Sequence, residues 1–167
     1  MLAKSLSAGF TMIELMIGLV ILAILLSLGM PAFTGILEGS RTKAAASGFA
    51  MGLQRARAEA ISKNQTVTFT PNGAGWAMTD AAGAGLDVKD ASESSGGQVT
   101  VTPVTAVSFN SLGRATVGAP VNFNFSGPSG CDGAVRCLRV RVSTGGQVRV
   151  CDPHPSVDVK DTRSCGS

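Results

Sequence analysis

Between Phe10 and Phe33 the chain carries one ionisable side chain, Glu14, in a run of 24 residues that is otherwise apolar or small. At about 1.5 Å per residue a helix of that length crosses a hydrocarbon core about 30 Å thick. A carboxylate near the start of such a run is costly in hydrocarbon and needs a countercharge. An N-terminal ammonium supplies one if the chain is cut after Gly9. The segment Gly9-Phe10-Thr11-Met12-Ile13-Glu14 therefore constrains everything downstream: the first 33 residues are committed to a leader and an apolar helix. The remaining residues of the 167 allow one modest globular domain.

Residues 1–9 are short and polar, with Lys4 as their only charge. A secretory signal would be cleaved after its apolar region, behind small residues. The nearest such place, Ser27-Leu28-Gly29, runs directly into Met30-Pro31. A plain signal anchor accounts for the hydrophobicity but not for Gly9 or Glu14.

Gly9-Phe10-Thr11, then Ile13-Glu14-Leu15 and about twenty apolar residues, resembles the class III signal of type IV pilins and type II secretion pseudopilins. Pro31 falls where that family carries a helix-bending proline. The resemblance implies that a prepilin peptidase cuts between Gly9 and Phe10 and methylates the new amino group of Phe10. It also implies that Glu14 pairs with the N-terminal amine of a neighbouring subunit during assembly. It implies as partners the other major and minor pilins through the N-terminal helix, the peptidase, the inner-membrane assembly platform and the membrane. No cofactor is implied.

Beyond Phe33 the pattern turns amphipathic. Phe49, Leu53, Ala56 and Ala60 recur on one helical face, with Arg55, Arg57, Glu59 and Lys63 on the others. Asn64 is the expected stop, with Lys63 in the last turn. Gly35, Gly39, Gly48 and Gly52 lower helix propensity and suit flexing or close packing.

From Gln65 the period becomes two. Val67 and Phe69 lead into the turn Pro71-Asn72-Gly73, and Trp76 to Met78 reads as the returning strand. Thr79 to Gly97, rich in Gly, Ala, Ser and Asp, reads as a long surface loop. Gln98–Thr102, Val104–Phe109, Val121–Phe125, Val135–Ser143 and Gln147–Cys151 read as further strands. The expected fold is α+β. A long N-terminal helix, its first half transmembrane, packs by its C-terminal half against an antiparallel, pilin-like β-domain. The expected boundaries are a leader at 1–9, a membrane and filament-core helix at 10–33, its amphipathic continuation at 34–63 and the β-domain at 64–167.

The last hairpin can be registered from its pattern. A two-residue loop would set Val142 opposite Arg149. A three-residue loop over Thr144-Gly145-Gly146 pairs Val142 with Val148 and Val140 with Val150. It also sets Arg141 opposite Arg149, with Arg139 next on that face. Like charges directly across a pair are destabilising. Asp152, Asp158 or Asp161 of the tail, or an external phosphate, is expected to offset them.

All four cysteines, Cys131, Cys137, Cys151 and Cys165, lie in the last 37 residues. An even number behind an export signal reads as two disulfides. Of the three pairings, Cys131–Cys137 with Cys151–Cys165 keeps both loops short. The second bridge would fold the tail back on the last strand and bring Lys160 and Arg163 near the arginine face.

Catalytic patterns are missing. The one histidine, His154, sits between Pro153 and Pro155 with no metal-binding companion. Asp87, Asp90 and Glu93 lack calcium-loop spacing, and Gly83-Ala84-Gly85 lacks the spacing and lysine of a phosphate loop. The chain reads as a substrate of an enzyme rather than an enzyme.

Within the superfamily the arrangement resembles the FimU, FimT and GspH group of minor pilins and pseudopilins. The resemblance implies a low-copy subunit of a tip or priming complex, serving twitching motility, adhesion or DNA uptake, or else a subunit serving protein secretion. DNA-binding members carry Gly-Arg-x-Arg near the C-terminus. The matching positions here read Gly146-Gln147-Val148-Arg149, so only Arg149 carries over. Arg139, Arg141, Lys160 and Arg163 are the other candidate phosphate contacts.

Overall fold

A computed structural model describes residues 10–116, 120–131, 136–154, 156–158 and 160–165, without the side chains of 28–33, 94 and 95. The chain divides into two compact units at Thr34/Gly35. Helix α1, Met12–Ser62, contributes to both.

In the first unit the helix is apolar on every side. The large hydrophobic residues from Phe10 to Leu26 are 52–86% exposed. Such a helix is built for surroundings other than water. Among the described residues no helix is long and apolar enough to cross a membrane. The described side chains of the apolar run break off at Ser27.

In the second unit the helical face foreseen from the pattern is buried: Phe49, Leu53, Ala56 and Ala60 are at most 1% exposed, joined by Ala45, Ala46 and Ala50. Small alanines keep this face thin enough for sheets to approach. The helix ends one residue earlier than expected, at Ser62. Asn64, at φ +49°, is the left-handed residue after it. Gln65 N–H donates to Ala60 O and Asn64 N–H to Ile61 O, a Schellman close. Lys63 lies just past the last turn and pairs with Glu59 at 3.3 Å.

Two four-stranded antiparallel sheets follow. The first has the order β3-β2-β1-β5, made of β1 Val67–Asn72, β2 Gly75–Thr79, β3 Gly85–Lys89 and β5 Val107–Phe109. The second has the order β4-β6-β7-β8, made of β4 Thr100–Thr102, β6 Val121–Ser126, β7 Leu138–Val142 and β8 Val148–Cys151. Alternation sends Val67, Phe69, Trp76, Met78, Phe123, Phe125, Val140 and Val142 inward.

Two sequence expectations need correction. The segment 79–97 is not a loop throughout: it holds the edge strand β3 and a short helix α2, Ala91–Ser95. Its residues are mostly exposed or half-buried, so no apolar alternation announces them; pairing with β2 creates the strand. The strand expected from Val104 begins only at Val107. Residues 103–106 carry the chain from the second sheet to the first, and Val104 is 65% exposed on the way.

Phe49 joins the layers. Its ring lies 4.9 Å from Phe69 of the first sheet and 5.0 and 5.2 Å from Phe123 and Phe125 of the second. Gly52 sits one turn further along, where a Cβ would come 2.6 Å from Trp76 Cε2. Gly146, at φ +78°, seals the end of the second sheet; a Cβ there would collide with Gly113 O. The β-domain is thus closed by close approaches as much as by its sheets.

We expect Phe49→Ala to lower stability by about 3–5 kcal/mol in chemical denaturation, because it empties a site lined by three rings. Gly146→Ala should also destabilise, whereas Gly145→Ala, which meets only Ser143 Oγ at 3.8 Å, should be far milder.

Candidate functional site

The N-terminal segment is organised by Thr11. Its Oγ1 accepts the Glu14 N–H at 3.3 Å and its carbonyl accepts the Leu15 N–H at 3.2 Å. Thr11 is therefore the N-cap of α1 and Glu14 its third helical residue. Thr11-Met12-Ile13-Glu14 is the sequence signature of a capping box, a signal the motif reading passed over. Glu14 lies in the first turn, where a negative charge is favoured by the helix dipole. It forms no ion pair with a described residue. Phe10 is 84% exposed. Gly9 lies outside the described residues. The backbone at Pro31 is helical; its side chain is outside the described ones.

The second candidate site is the outer face of the second sheet. The three-residue loop sets Val142 opposite Val148, Val140 opposite Val150 and Arg141 opposite Arg149. Gly146 takes the left-handed conformation, and Gly146 N–H donates to Ser143 O. Arg139 donates from Nε to Asn124 Oδ1 at 2.7 Å, across from its β6 neighbour.

The charge offset differs from expectation. Among the described residues no tail carboxylate is paired with either arginine. Arg141 donates to the main-chain carbonyl of Cys165 at 3.3 Å, and Arg149 to that of Thr162. Asp152, 7% exposed, instead pairs with Arg136 at 3.3 Å and accepts the His154 N–H at 2.9 Å. Asp161 pairs with Arg163 at 2.6 Å, and Asp158 accepts the Lys160 N–H. The physical reason is local: an Asx-type bond to the residue two positions on satisfies each aspartate within its own turn.

The cysteines are joined as Cys131–Cys137 and Cys151–Cys165. The second bridge returns the tail beside the end of β8. There Asp152 N–H donates to Arg163 O at 2.7 Å and Cys165 N–H to Asp152 O at 3.3 Å. Arg141 and Arg149, with Ser143 and Gln147, line a cleft of about 200 Å³. Arg163 faces a different cleft of about 500 Å³, together with Lys43, Arg136 and Asp152. Lys160 lines neither. Of five candidate arginines and lysines, the structure brings only Arg141 and Arg149 to one cleft. His154 Nδ1 is 2.7 Å from Ser156 Oγ in an exposed turn. Among the described residues no group of His, Cys, Asp and Glu could hold a metal ion.

The sequence matches the family described as Type II transport protein GspH over residues 45–146. The chain belongs to the GspH family. The description Prokaryotic N-terminal methylation motif matches residues 4–30. Two crystal forms of the type IV minor pilin FimU from Pseudomonas aeruginosa PAO1 share the fold. One matches at 20% identity and TM-score 0.53, over 65% of this chain and 86% of that one. The other matches at 18% and 0.52, over 65% and 90%. No curated protein matches the sequence. Membership makes this GspH-family chain a structural subunit rather than an enzyme, one that associates with other pilins. The methylation motif marks it as a substrate of the prepilin peptidase and is consistent with a membrane-anchored pilus component.

The Arg163 guanidinium bonds to the Asp161 carboxylate, and the Arg163 N–H bonds to it as well. Together they pull that carboxyl from 3.8 down to about 2. A lowered value favours the carboxylate, so the contact is complete above the ordinary carboxyl range and is lost as pH falls through about 2. Titration of the Asp161 carboxyl by NMR should give a midpoint near 2; an ordinary midpoint would show that the pair does not form in solution.

Proposed function

We propose that this GspH-family chain is a minor pilin that enters a type IV pilus and contributes to its tip or priming complex, supporting twitching motility and adhesion. The observation that carries the reading is the start of α1, Met12 to Leu26, apolar on all sides and with its large hydrophobic side chains exposed, with Glu14 in its first turn. An apolar surface of this kind is stable in a bilayer or against copies of itself.

In this reading residues 1–9 are a leader cut between Gly9 and Phe10, and Phe10 is N-methylated. Residues 10–33 first hold the chain in the inner membrane as a single span, with the disulfide-bonded domain in the periplasm, and later form filament core. Pro31 bends that helix, 34–63 continues it, and 64–167 is the domain displayed at the surface. Glu14 has two roles: it supports the capped helix start in the single chain and receives a neighbour's N-terminal amine on assembly. A buried carboxylate without that amine is strongly unfavourable, so the charge registers one subunit against the next.

Mass spectrometry of the mature protein should show methylated Phe10 as the first residue. Glu14→Gln should leave processing intact while removing the subunit from sheared pili. A Glu14→Gln chain incorporated at the normal level would refute the assembly role.

Two other readings have an observation in their favour. The family description favours a type II secretion pseudopilin; a deletion strain that keeps twitching but loses secretion would select it. The Arg141–Arg149 cleft, where no described carboxylate pairs with either arginine, favours a DNA-binding subunit acting in uptake. Binding to duplex DNA at low salt should then fall on charge reversal at Arg141 and Arg149.

A further inference from the structure

The sheet face that α1 covers is left open at β8. Val140 and Val150 are cross-strand partners and share that face, yet Val140 is fully buried and Val150 is 38% exposed. The open strip forms a cleft of about 500 Å³ beside the helix, with Lys43 and Ser47 of α1 on one side and Leu138 and Val150 on the other. A second cleft of about 320 Å³ shares Lys43, Arg136 and Leu138 with it and continues to Ile36 and Gly39. The two make one groove. Ile36, Gly39, Lys43 and Ser47 recur every three or four residues, one helical face over about 16 Å.

The floor of the groove is apolar and its rim is cationic. Ile36 is 68% exposed in it. Lys43 forms no ion pair with a described residue. Arg136 and Arg163 pair with Asp152 and Asp161, but their side chains remain 65% and 72% exposed. Among the described lining residues the one carboxylate is Asp152, 7% exposed and already engaged by Arg136 and the His154 N–H.

Gly39 marks how closely the occupant approaches. A Cβ there would meet nothing within 4 Å, so no described neighbour requires glycine, a residue that lowers helix propensity. Glycine on the floor of a groove lets a second helix come in at short interaxial distance. We propose that the groove receives an α-helix of a different pilin, with an apolar stripe against Ile36, Leu138 and Val150 and carboxylates against Lys43, Arg136 and Arg163. The partner class rests on the association with other pilins that GspH-family membership gives, and on neither the pilus nor the secretion reading.

A second copy of this chain is the wrong occupant by charge. Residues 34–62 of α1 carry Arg41, Lys43, Arg55 and Arg57 against Glu38 and Glu59, which sets like charges against the rim. The run from Met12 to Phe33 brings a single carboxylate, Glu14. The groove thus selects an unlike neighbour by repelling its own kind.

The test is photo-crosslinking by the full-length chain in its native host. The crosslinker, p-benzoylphenylalanine, replaces Ile36 or Ser47 in the groove, or Leu19 as a reference outside it, and cross-linked peptides are identified by mass spectrometry. From positions 36 and 47 the cross-links should fall on a helix of another pilin that carries Asp or Glu beside the attachment point. Lys43→Glu should lower their yield about fivefold, the scale of a lost exposed ion pair, and lysine in place of the partner's carboxylate should restore it. Gly39→Leu should lower the yield about tenfold or more by filling the floor, while cross-links from position 19 keep theirs. The thermal midpoint of the Gly39→Leu chain should be unchanged or higher, which separates a blocked groove from a damaged fold.

Cross-links from positions 36 and 47 to a second copy of this chain, to a protein that is not a pilin, or to nothing, while position 19 still captures pilins, overturn the groove and leave the family association standing. Unchanged yields in both Lys43→Glu and Gly39→Leu overturn it as well. If position 19 captures no pilin either, the association itself falls and the groove with it.

Discussion

Phe49 is the side chain at which three layers meet. Its helix supplies the ring, the first sheet supplies Phe69 and the second supplies Phe123 and Phe125, all within about 5 Å. The two sheets share no strand, and both bury side chains against α1. Aromatic edges and faces at these separations favour tilted arrangements, and all three contacts are tilted or T-shaped. The surrounding alanines matter for the same reason. Side chains larger than Ala45, Ala46 or Ala56 would hold the sheets off the ring.

That arrangement fixes what the rest of the domain can offer. With Phe123, Phe125, Val140 and Val142 turned inward, period-two alternation leaves Asn124, Arg139, Arg141 and Arg149 on the outer face. The arginine pair is therefore a consequence of the core register. A one-residue slip of the hairpin would send charge inward and valine outward. Gly146 is the hinge of that register: its positive φ permits the three-residue loop, and its lack of a side chain lets the hairpin tip rest on Gly113. The tail completes the face with main-chain carbonyls, held by a disulfide rather than by apolar burial, of which a segment with so few large side chains has little to give.

The apolar half of α1 follows a different logic from the domain. In the domain, alanine and glycine thin the helix so that sheets can cover it. From Met12 to Leu26 the helix is wide and branched with its large side chains exposed, and the Thr11 hydroxyl accepts the Glu14 N–H in its first turn. The helix start is thus capped within its own first turn.

By itself the sequence determined the elements whose signals are periodic or carried by single residues. These include the apolar run with Glu14, the buried stripe of Phe49, Leu53, Ala56 and Ala60, the stop at Asn64, the strands around Phe69, Trp76 and Phe123, and the register of the last hairpin. Each depends on neighbours a few positions away or on alternation within one strand, so the linear chain contains the information. Tertiary structure decided the rest. It divided the strands between two sheets, made an edge strand of 85–89 by pairing it with β2, and turned 103–106 into a crossover. It also decided that Asp152, Asp158 and Asp161 serve their own turns while carbonyls of 162 and 165 meet the arginines. Main-chain carbonyls are present at every residue, and no sequence pattern marks the one that a disulfide will swing against a guanidinium.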